Sequence, residues 1–378
     1  MSSIFRAPSG FGASAASTAR PGLVNTSNTG NQAASTDIEV NPSPPDGISS
    51  LDWSSAADFL VSGCWDNNVR IYGVEGAGAV PKAMYSHEGP VLDTIWSKDG
   101  LRVISGSADK TAKLYDVQSG QSNQIAAHDA PIKHVRWVDQ GNGLLATASW
   151  DKTVKYWDMR QGNPIAQATL SERCYAMDCE WPYLVVGTAD RKIHVFDLQQ
   201  NPNAPAFSID SPLKYQTRTI ACFRRAPEVG LEPMAPGFAL GSIEGRVAIQ
   251  YFKDEHKSSN FSFKCHRKEP PTGSREPAVV CPVNEISFTP QGTFSTCGSD
   301  GTFTFWDKDA RTRLKTFDRK AAPISATAFN RDGKIFAYAV SYDWHAGHQM
   351  ANPPNSGKDK IYLLPVAEED IRRKPPKR

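Results

Sequence analysis

Two groups of side chains in this sequence have residue types that could bind a metal ion or a phosphate. Asp343, His345 and His348 stand close together, and the run SGSADKT at 105–111 is similar to a phosphate-binding loop. The run lacks the GxxxxGK spacing of such loops and leads into a strand pattern. The aspartate and the histidines lack a further ligand at metal-binding spacing. We therefore expect no metal, no cofactor and no catalytic residue.

Histidine, aspartate and serine or threonine also recur together, in the combination that nucleophilic catalysis uses. His87 precedes Asp109 and His128 precedes Asp151, and in both cases the aspartate occupies a tight turn. A buried imidazole needs hydrogen-bond partners, which the turn aspartate, a strand hydroxyl and an aromatic side chain can supply. The combination therefore predicts a network that locks a structural repeat.

The turn aspartates belong to a repeat that occurs seven times. The copies are DNNVRIYGV from Asp66, DKTAKLYDV from Asp109, DKTVKYWDM from Asp151, DRKIHVFDL from Asp190, EGRVAIQYF from Glu244, DGTFTFWDK from Asp300 and KDKIYLLPV from Lys358. Their first positions are 43, 42, 39, 54, 56 and 58 residues apart, and insertions at 225–236, 253–280 and 344–358 explain the longer intervals. Each copy follows an apolar segment with period-2 alternation, so each unit predicts strands joined by tight turns.

These copies resemble the WD repeat, whose terminal Trp-Asp dipeptide stands at 157–158 and 306–307. Seven such copies imply an all-β fold, a seven-bladed WD-repeat β-propeller with four strands in each blade. The last blade lacks an outer strand, and the N-terminal segment DIEV at 37–40 can supply it and close the ring. The expected parts are a disordered Ser/Ala/Gly-rich tail at 1–36, one propeller at 37–366 and a basic C-terminal tail at 367–378.

Composition sets limits on the function. The 378 residues carry 42 Lys and Arg against 40 Asp and Glu, and this net charge of +2 excludes a cationic surface over the whole chain. No run approaches the ~18–20 apolar residues of a membrane-spanning helix, and the first 30 residues lack the apolar region of a secretory signal. Seven cysteines without a CxxC pair fit a reducing compartment. We expect no membrane insertion and no small-molecule substrate.

Many segments resemble mRNA export factors of the Rae/Gle type, a family of nuclear-pore-associated WD-repeat propellers. The matching segments are DIEV (37–40), WDNNVR (65–70), GPVLD (89–93), DKTAK (109–113), HDAP (128–131), SWDKT (149–153), ERCY (172–175), FALGSIEGRVAI (238–249), FKCHR (263–267), GSDG (298–301), FWDKDART (305–312) and SYDW (341–344). They extend over nearly the whole predicted propeller, including its insertions.

The resemblance implies a non-enzymatic adaptor in poly(A) mRNA export through the nuclear pore. The implied partners are RNA, single-stranded and bound with low sequence specificity, and the acidic GLEBS segment of the GLFG-repeat nucleoporin. The implied location is the nucleus and the nuclear envelope at the nuclear pore complex, with shuttling to the cytoplasm. Within SIEGRVA at 242–248, Arg246 offers a guanidinium fork to a carboxylate, and Trp65, which directly precedes the turn of the first copy, is a candidate anchor for the peptide.

A second candidate patch combines aromatic and basic side chains around the sixth copy. It contains Phe263, Lys264, Arg267, Trp306, Lys308 and Arg311, with His266 among them. Propeller geometry places the end of the third strand on the rim opposite Arg246. Aromatic rings interleaved with cations suit stacking on unpaired bases along a phosphate-tracking groove, so we expect this patch to contact RNA.

Two alternatives stay open. SIEGRVA also occurs in spindle-checkpoint propellers, which bind GLEBS segments of checkpoint kinases. WDMR at 157–160 matches the WDxR pattern of substrate receptors of cullin-RING ubiquitin ligases, a role that would depend on Arg160. An enzyme would need a convergent titratable cluster in the central channel of the propeller, and the sequence predicts none.

Overall fold

The computed structural model describes residues 37–76, 78–138, 143–224, 234–270, 276–351 and 356–374. The predicted tail at 1–36, most of the insertion at 225–236 and the last four residues lie outside this description. Within the described ranges, no helix has the length and the apolar character needed to cross a bilayer.

Seven four-stranded antiparallel sheets form the blades of a propeller, as the repeats predict. The described chain begins with a short strand, β1 (Ile38–Glu39). Blade one contains β2 (Ile48–Trp53), β3 (Phe59–Cys64), β4 (Asn68–Glu75) and β5 (Gly78–Ser86). Blade two contains β6 (Val91–Trp96), β7 (Arg102–Ser107), β8 (Thr111–Asp116) and β9 (Gln121–Ala127). Blade three contains β10 (Ile132–Val138), β11 (Leu144–Ser149), β12 (Thr153–Asp158) and β13 (Pro164–Thr169).

The remaining blades continue in chain order. Blade four contains β14 (Cys174–Glu180), β15 (Tyr183–Thr188), β16 (Lys192–Asp197) and β17 (Phe207–Asp210). Blade five contains β18 (Thr217–Cys222), β19 (Gly237–Ser242), β20 (Arg246–Tyr251) and β21 (Phe261–Lys264), and a separate ribbon of β22 (Arg267–Lys268) and β23 (Val279–Val280) follows. Blade six contains β24 (Val283–Phe288), β25 (Phe294–Gly298), β26 (Phe303–Asp307) and β27 (Thr312–Thr316). Blade seven contains β28 (Ile324–Phe329), β29 (Ile335–Val340), β30 (Lys360–Pro365) and β1.

The N-terminal strand closes the ring, which confirms the prediction for DIEV. β1 pairs antiparallel with β30, and the Val40 amide donates to the Ile361 carbonyl at 2.9 Å. Outside the ladder, Lys360 Nζ lies 2.8 Å from a Glu39 oxygen. We call this contact between the two ends of the propeller the seam.

Glycine in the second strand of several blades lets the next blade approach closely. A Cβ atom on Gly63 would lie 2.8 Å from Cγ1 of Val91, the first residue of blade two. The same contact joins Gly106 to Ile132, Gly187 to Ile220 and Gly241 to Val283, at 2.8, 2.9 and 2.9 Å. The small-residue runs ahead of the turns are therefore the contacts that set the spacing between blades.

The segments outside the blades are short. A 3-10 helix at Asp254–Ser259 precedes β21, a second one lies at His348–Met350, and α1 (Glu368–Ile371) follows blade seven. The prediction that 253–280 is one insertion between copies is wrong, because its residues 261–264 form the outer strand of blade five. The part of the predicted basic tail that is described, 367–374, packs on the propeller through Ile371, which is 2% exposed.

Candidate functional site

The strand order of the propeller assigns each candidate residue to one of two rims. The turns between second and third strands open onto one rim, which we call the upper rim, and the third strands end at the opposite, lower rim. Arg246 begins β20 and pairs with Lys264 at the end of β21, so both lie at the upper rim. Arg267 is close by, since a Cβ atom on Gly245 would lie 3.0 Å from its Cγ. The predicted grouping of Lys264 and Arg267 with Arg311 is therefore wrong, because Arg311 follows β26 at the lower rim.

Arg246 follows a turn whose conformation requires glycine. Gly245 has a φ of +63°, and a Cβ atom there would lie 2.8 Å from the carbonyl oxygen of Cys265. The Arg246 side chain is 32% exposed, and its Nε lies 3.7 Å from Glu244 Oε2. This separation is too long for a hydrogen bond, so the guanidinium retains its donors for a ligand.

Trp65 lies half-buried at the upper mouth of the central channel. Its ring centroid is 4.9 Å from that of Trp344, which is 41% exposed. Trp344 has a φ of +65°, in a backbone region that bulky side chains rarely adopt. The predicted anchor is therefore one half of a pair of indoles. Sequence reasoning missed Trp344, because only ring closure brings residues 65 and 344 together.

A buried aspartate fixes the segment that carries Trp344. The Asp343 carboxylate accepts hydrogen bonds from Asn284 Nδ2 at 2.6 Å and from Ser299 Oγ, and lies 2.6 Å from His345 Nδ1. Burial acts to raise the pKa of Asp343, but these hydrogen bonds hold it below its ordinary value. The Asp343 carboxylate, which was considered for metal binding with His345 and His348, is therefore already hydrogen-bonded within the protein. Among the described residues, no group of three or more His, Cys, Asp and Glu side chains is arranged to hold a metal ion.

The central channel is a cavity of about 970 Å³ that does contain a titratable cluster, so the prediction of none is wrong. Arg136 lies 2.6 Å from Asp93 and 2.9 Å from Asp178. Arg224 lies 2.7 Å from Asp178, and His134 Nδ1 lies 3.0 Å from Asp93. The arginine–aspartate contacts form one chain of ion pairs across blades two to five, and His134 forms a hydrogen bond with Asp93 at its start. Each contact joins side chains of two different blades, which is why the spacing within one copy could not reveal the cluster.

The electrostatics of this cluster fix its charges. Burial acts to raise the pKa of Asp93, but Arg136 and His134 hold it well below its ordinary value. Burial lowers the pKa of His134 to about 4, so its imidazole is neutral near pH 7. Two further carboxyl groups in the channel behave oppositely, since burial raises the pKa of Asp52 to about 6 and that of Glu285 to about 7. The paired groups connect neighbouring blades, while the pKa of Glu285 lies close to neutral pH.

Two of the blade-locking networks form as predicted. His87 Nδ1 lies 2.9 Å from Asp109 Oδ2, and its Nε2 lies 2.7 Å from Ser105 Oγ. In blade three, His128 makes the equivalent pair of contacts at 2.8 Å each. Both nitrogens of each imidazole therefore have a partner inside the protein.

A third network, which the sequence did not predict, locks blade six. His266 lies 3.0 Å from Asp300 and 2.9 Å from Thr296 Oγ1, and it is 7% exposed. Trp306 Nε1 donates to the same threonine hydroxyl at 3.0 Å. Because His266 and the Trp306 N–H serve this network, neither is free for the RNA contact to which they were assigned.

Lys308 does not belong to the predicted patch either, because its side chain is buried. Its Nζ lies 2.6 Å from Asp309 Oδ1 and 4.7 Å from the ring centre of Phe223. The whole residue is 3% exposed, and burial lowers the pKa of its ammonium group. The prediction that Lys308 presents a charge to RNA is therefore wrong.

Arg311 and Phe261 of blade five remain toward the lower rim. The Arg311 guanidinium lies 4.8 Å from the ring centre of Phe261 and is exposed. Phe263 directly precedes Lys264 of the upper rim, so its predicted grouping with Arg311 is also wrong. Its ring packs between blades five and six, with its centre 4.6 Å from that of Trp306. Phe261 was not predicted as a site residue. It contacts Arg311 because β21 lies beside the turn that carries Arg311.

Arg160, on which the ligase alternative depends, lies at the lower rim of blade three. Its guanidinium lies 2.6 Å from the carboxylate of Asp158, and its side chain is 71% exposed. The pair leaves the guanidinium largely in solvent, where such a contact contributes little to stability.

Comparison with known proteins places this geometry in context. The family model described as "WD domain, G-beta repeat" matches residues 39–73, 79–116, 120–158 and 278–307. The chain is 48% identical over 347 residues to "Poly(A)+ RNA export protein" of Schizosaccharomyces pombe, across 90% of this chain and 94% of that protein. It is 47% identical over 339 residues to "Protein Rae1" of Drosophila melanogaster, across 88% and 95%. It is 46% identical over 374 residues to "mRNA export factor" of Xenopus tropicalis, across 97% and 98%.

Proposed function

Because this chain belongs to the family of WD-repeat mRNA export factors, we propose that it is a non-enzymatic adaptor in poly(A) mRNA export. It acts in the nucleus and at the nuclear pore complex of the nuclear envelope, and it shuttles to the cytoplasm. The names of the similar proteins support the export role. The closed ion pairs of the channel support binding over catalysis, because their partners hold one another.

The partner of the upper rim is an acidic protein segment, the GLEBS segment of the GLFG-repeat nucleoporin. The observation that carries this proposal is the Arg246 guanidinium, which is exposed at a fixed turn and has no hydrogen-bond partner among the described residues. Lys264 and Arg267 add positive charge beside it. The indole pair of Trp65 and Trp344 offers an apolar anchor point on the same rim.

Titration calorimetry of the full chain with a synthetic GLEBS peptide tests this site. Arg246→Glu replaces an attraction to the peptide carboxylates by repulsion, so we expect the Kd to rise about 100-fold or more. Arg160→Ala, at the opposite rim, is the matched control and should leave the Kd unchanged. Absence of binding by the wild type would refute the partner and favour the ligase alternative. Loss of binding in Arg160→Ala alone would refute the upper rim as the peptide site.

The lower rim contacts single-stranded RNA with low sequence specificity. Arg311 supplies an exposed planar cation on the ring of Phe261. Such an arrangement suits a phosphate group beside stacked bases. Lys308 does not take part, for the reason given above.

A further inference from the structure

The C-terminal segment 367–374 is fixed along the lower rim of blade six. Ile371 packs with the aromatic side chains between blades six and seven. Thr293 Oγ1 donates to the Ile371 carbonyl at 2.9 Å, and Lys315 Nζ lies 2.7 Å from Asp370 Oδ2. One apolar contact, one hydrogen bond and one ion pair thus hold α1 in place.

Beyond Ile371 the segment reaches the end of β26, where the proposed RNA contact begins. The amide of Lys374 donates to Asp307 Oδ2 at 2.8 Å, and Arg373 Nη2 lies 2.7 Å from Asp309 Oδ2. Arg311 follows Asp309 by two positions in the chain. Residues that are 64 positions apart in sequence therefore contact one another in the turn that also carries Arg311.

The carboxylates near this contact are already occupied. Asp309 lies between Lys308 at 2.6 Å and Arg373 at 2.7 Å, and Asp370 is paired with Lys315. Asp307 Oδ1 accepts main-chain N–H groups from 309 and 310, and its Oδ2 accepts the amide of 374. The acidic side chains that hold the segment are thus matched by donors of the protein itself.

Four cations on this surface keep their charge available for a ligand. Within the described residues, Arg311, Arg313 and Lys374 have no carboxylate partner. Arg372 contacts Glu368 at 3.0 Å, but both side chains are at least 70% exposed, so the pair is weak. We call these four residues, Arg311, Arg313, Arg372 and Lys374, the blade-six strip.

We propose that the blade-six strip binds single-stranded RNA as one surface, so that the C-terminal segment is part of the RNA site. This inference rests on the RNA contact proposed above and extends it to residues of a different part of the chain. Cations without a carboxylate partner release counterions when they meet phosphates. Because the segment is already ordered by Ile371 and Arg373, it reaches RNA without the cost of fixing a flexible tail.

The test uses the full chain and a fluorescein-labelled 15-nucleotide oligouridylate, titrated by anisotropy at several salt concentrations. Arg372→Ala with Lys374→Ala removes two exposed cations and retains Ile371, Asp370 and Arg373, which hold the segment. We expect an affinity loss of about fivefold or more at low salt. The slope of log K against log salt should shrink by about 1.4, at about 0.7 for each lost phosphate contact on a single strand.

Two further variants keep the result interpretable. Arg160→Ala with Lys334→Ala removes two exposed cations from the lower rim of other blades and should leave affinity and slope unchanged. Arg311→Ala with Arg313→Ala tests the rest of the strip. If that variant loses RNA and the C-terminal variant does not, the inference is overturned while the RNA proposal stands. If the wild type fails to bind RNA, both the inference and the RNA proposal are overturned. An oligoglutamate peptide of equal charge is titrated in parallel. If the C-terminal variant loses affinity for this peptide alone, the strip is reassigned to an acidic protein.

Discussion

At the scale of single residues, three imidazoles each connect two parts of one repeat. His87, His128 and His266 bridge a turn aspartate and a strand hydroxyl, and all three rings are buried. Burial lowers the pKa of His87, which favours the neutral ring that donates to one partner and accepts from the other. The strand hydroxyls are buried with them and the turn aspartates are partly buried, so removing a ring leaves buried polar groups unsatisfied.

Replacement of His266 by alanine should therefore destabilise the protein. The change leaves Asp300 without its imidazole partner and removes one partner of Thr296, and we expect a loss of about 2 kcal/mol in the free energy of unfolding. Urea unfolding of the full chain measures it. The exposed His348→Ala is the control and should shift the free energy by less than about 0.5 kcal/mol. Equal stability of the two variants would contradict a locking role.

The same residues show what can be predicted at this scale. His87 and His128 stand 22 and 23 positions before their aspartates, and that regular spacing revealed them. His266 stands 34 positions before Asp300, because the ribbon of β22 and β23 lies between, so it was taken for part of a basic loop. Lys308 was misplaced for another reason, since the ring of Phe223 that buries it belongs to blade five.

At the scale of elements, the strand that varies most in its connections is the outer one. The outer strands of blades one to four come directly after the third strand, as the repeat predicts. The outer strand of blade five, β21, comes after a 3-10 helix, and that of blade seven, β1, comes from the other end of the chain. The sequence predicted β1 because the last copy visibly lacked an outer strand. It missed β21 because the segment around it does not match the repeat pattern. Only its pairing with β20 in the sheet of blade five identifies β21 as a strand, and no local sequence pattern predicts that pairing.

Replacement of Val40 by alanine tests the strength of the seam. Val40 is 0% exposed and packs beside β30, so loss of two methyl groups should cost about 2 kcal/mol. We expect a lower free energy of unfolding in urea and faster hydrogen exchange of the β30 amides. Val80→Ala is the matched control, because Val80 is 45% exposed. Unchanged exchange in β30 would show that β1 adds nothing to blade seven.

At the scale of the whole molecule, the channel joins blades that are distant in sequence. The ion pairs run from Asp93 through Arg136 and Asp178 to Arg224. Glu285 of blade six lies in the same cavity, and none of the described residues forms an ion pair with it. Its raised pKa makes the stability of the ring depend on pH near neutrality.

Glu285→Gln should relieve this dependence. The Glu285 carboxyl has a folded pKa of about 7 against an ordinary 4.5, so between these values the folded protein holds a proton that the unfolded chain has lost. Wild-type stability from this group therefore falls as pH rises through that window. The variant stays neutral, so its stability relative to the wild type should be about 2 kcal/mol greater at pH 8 than at pH 5. The exposed Glu88→Gln should show no such difference, and equal values at both pH would refute the assignment.

The seam also has a consequence for how the ring is made. A ribosome delivers β1 first and β30 last, and the Lys360–Glu39 contact spans 321 residues. Throughout synthesis the first strand has no partner, and the edge that it will cover does not yet exist. A nascent chain that stops before residue 360 therefore remains an open arc with unpaired edges, which are sites for wrong pairing between chains. Completion of the ring thus waits until β30 has been synthesised, and it removes both edges in a single step.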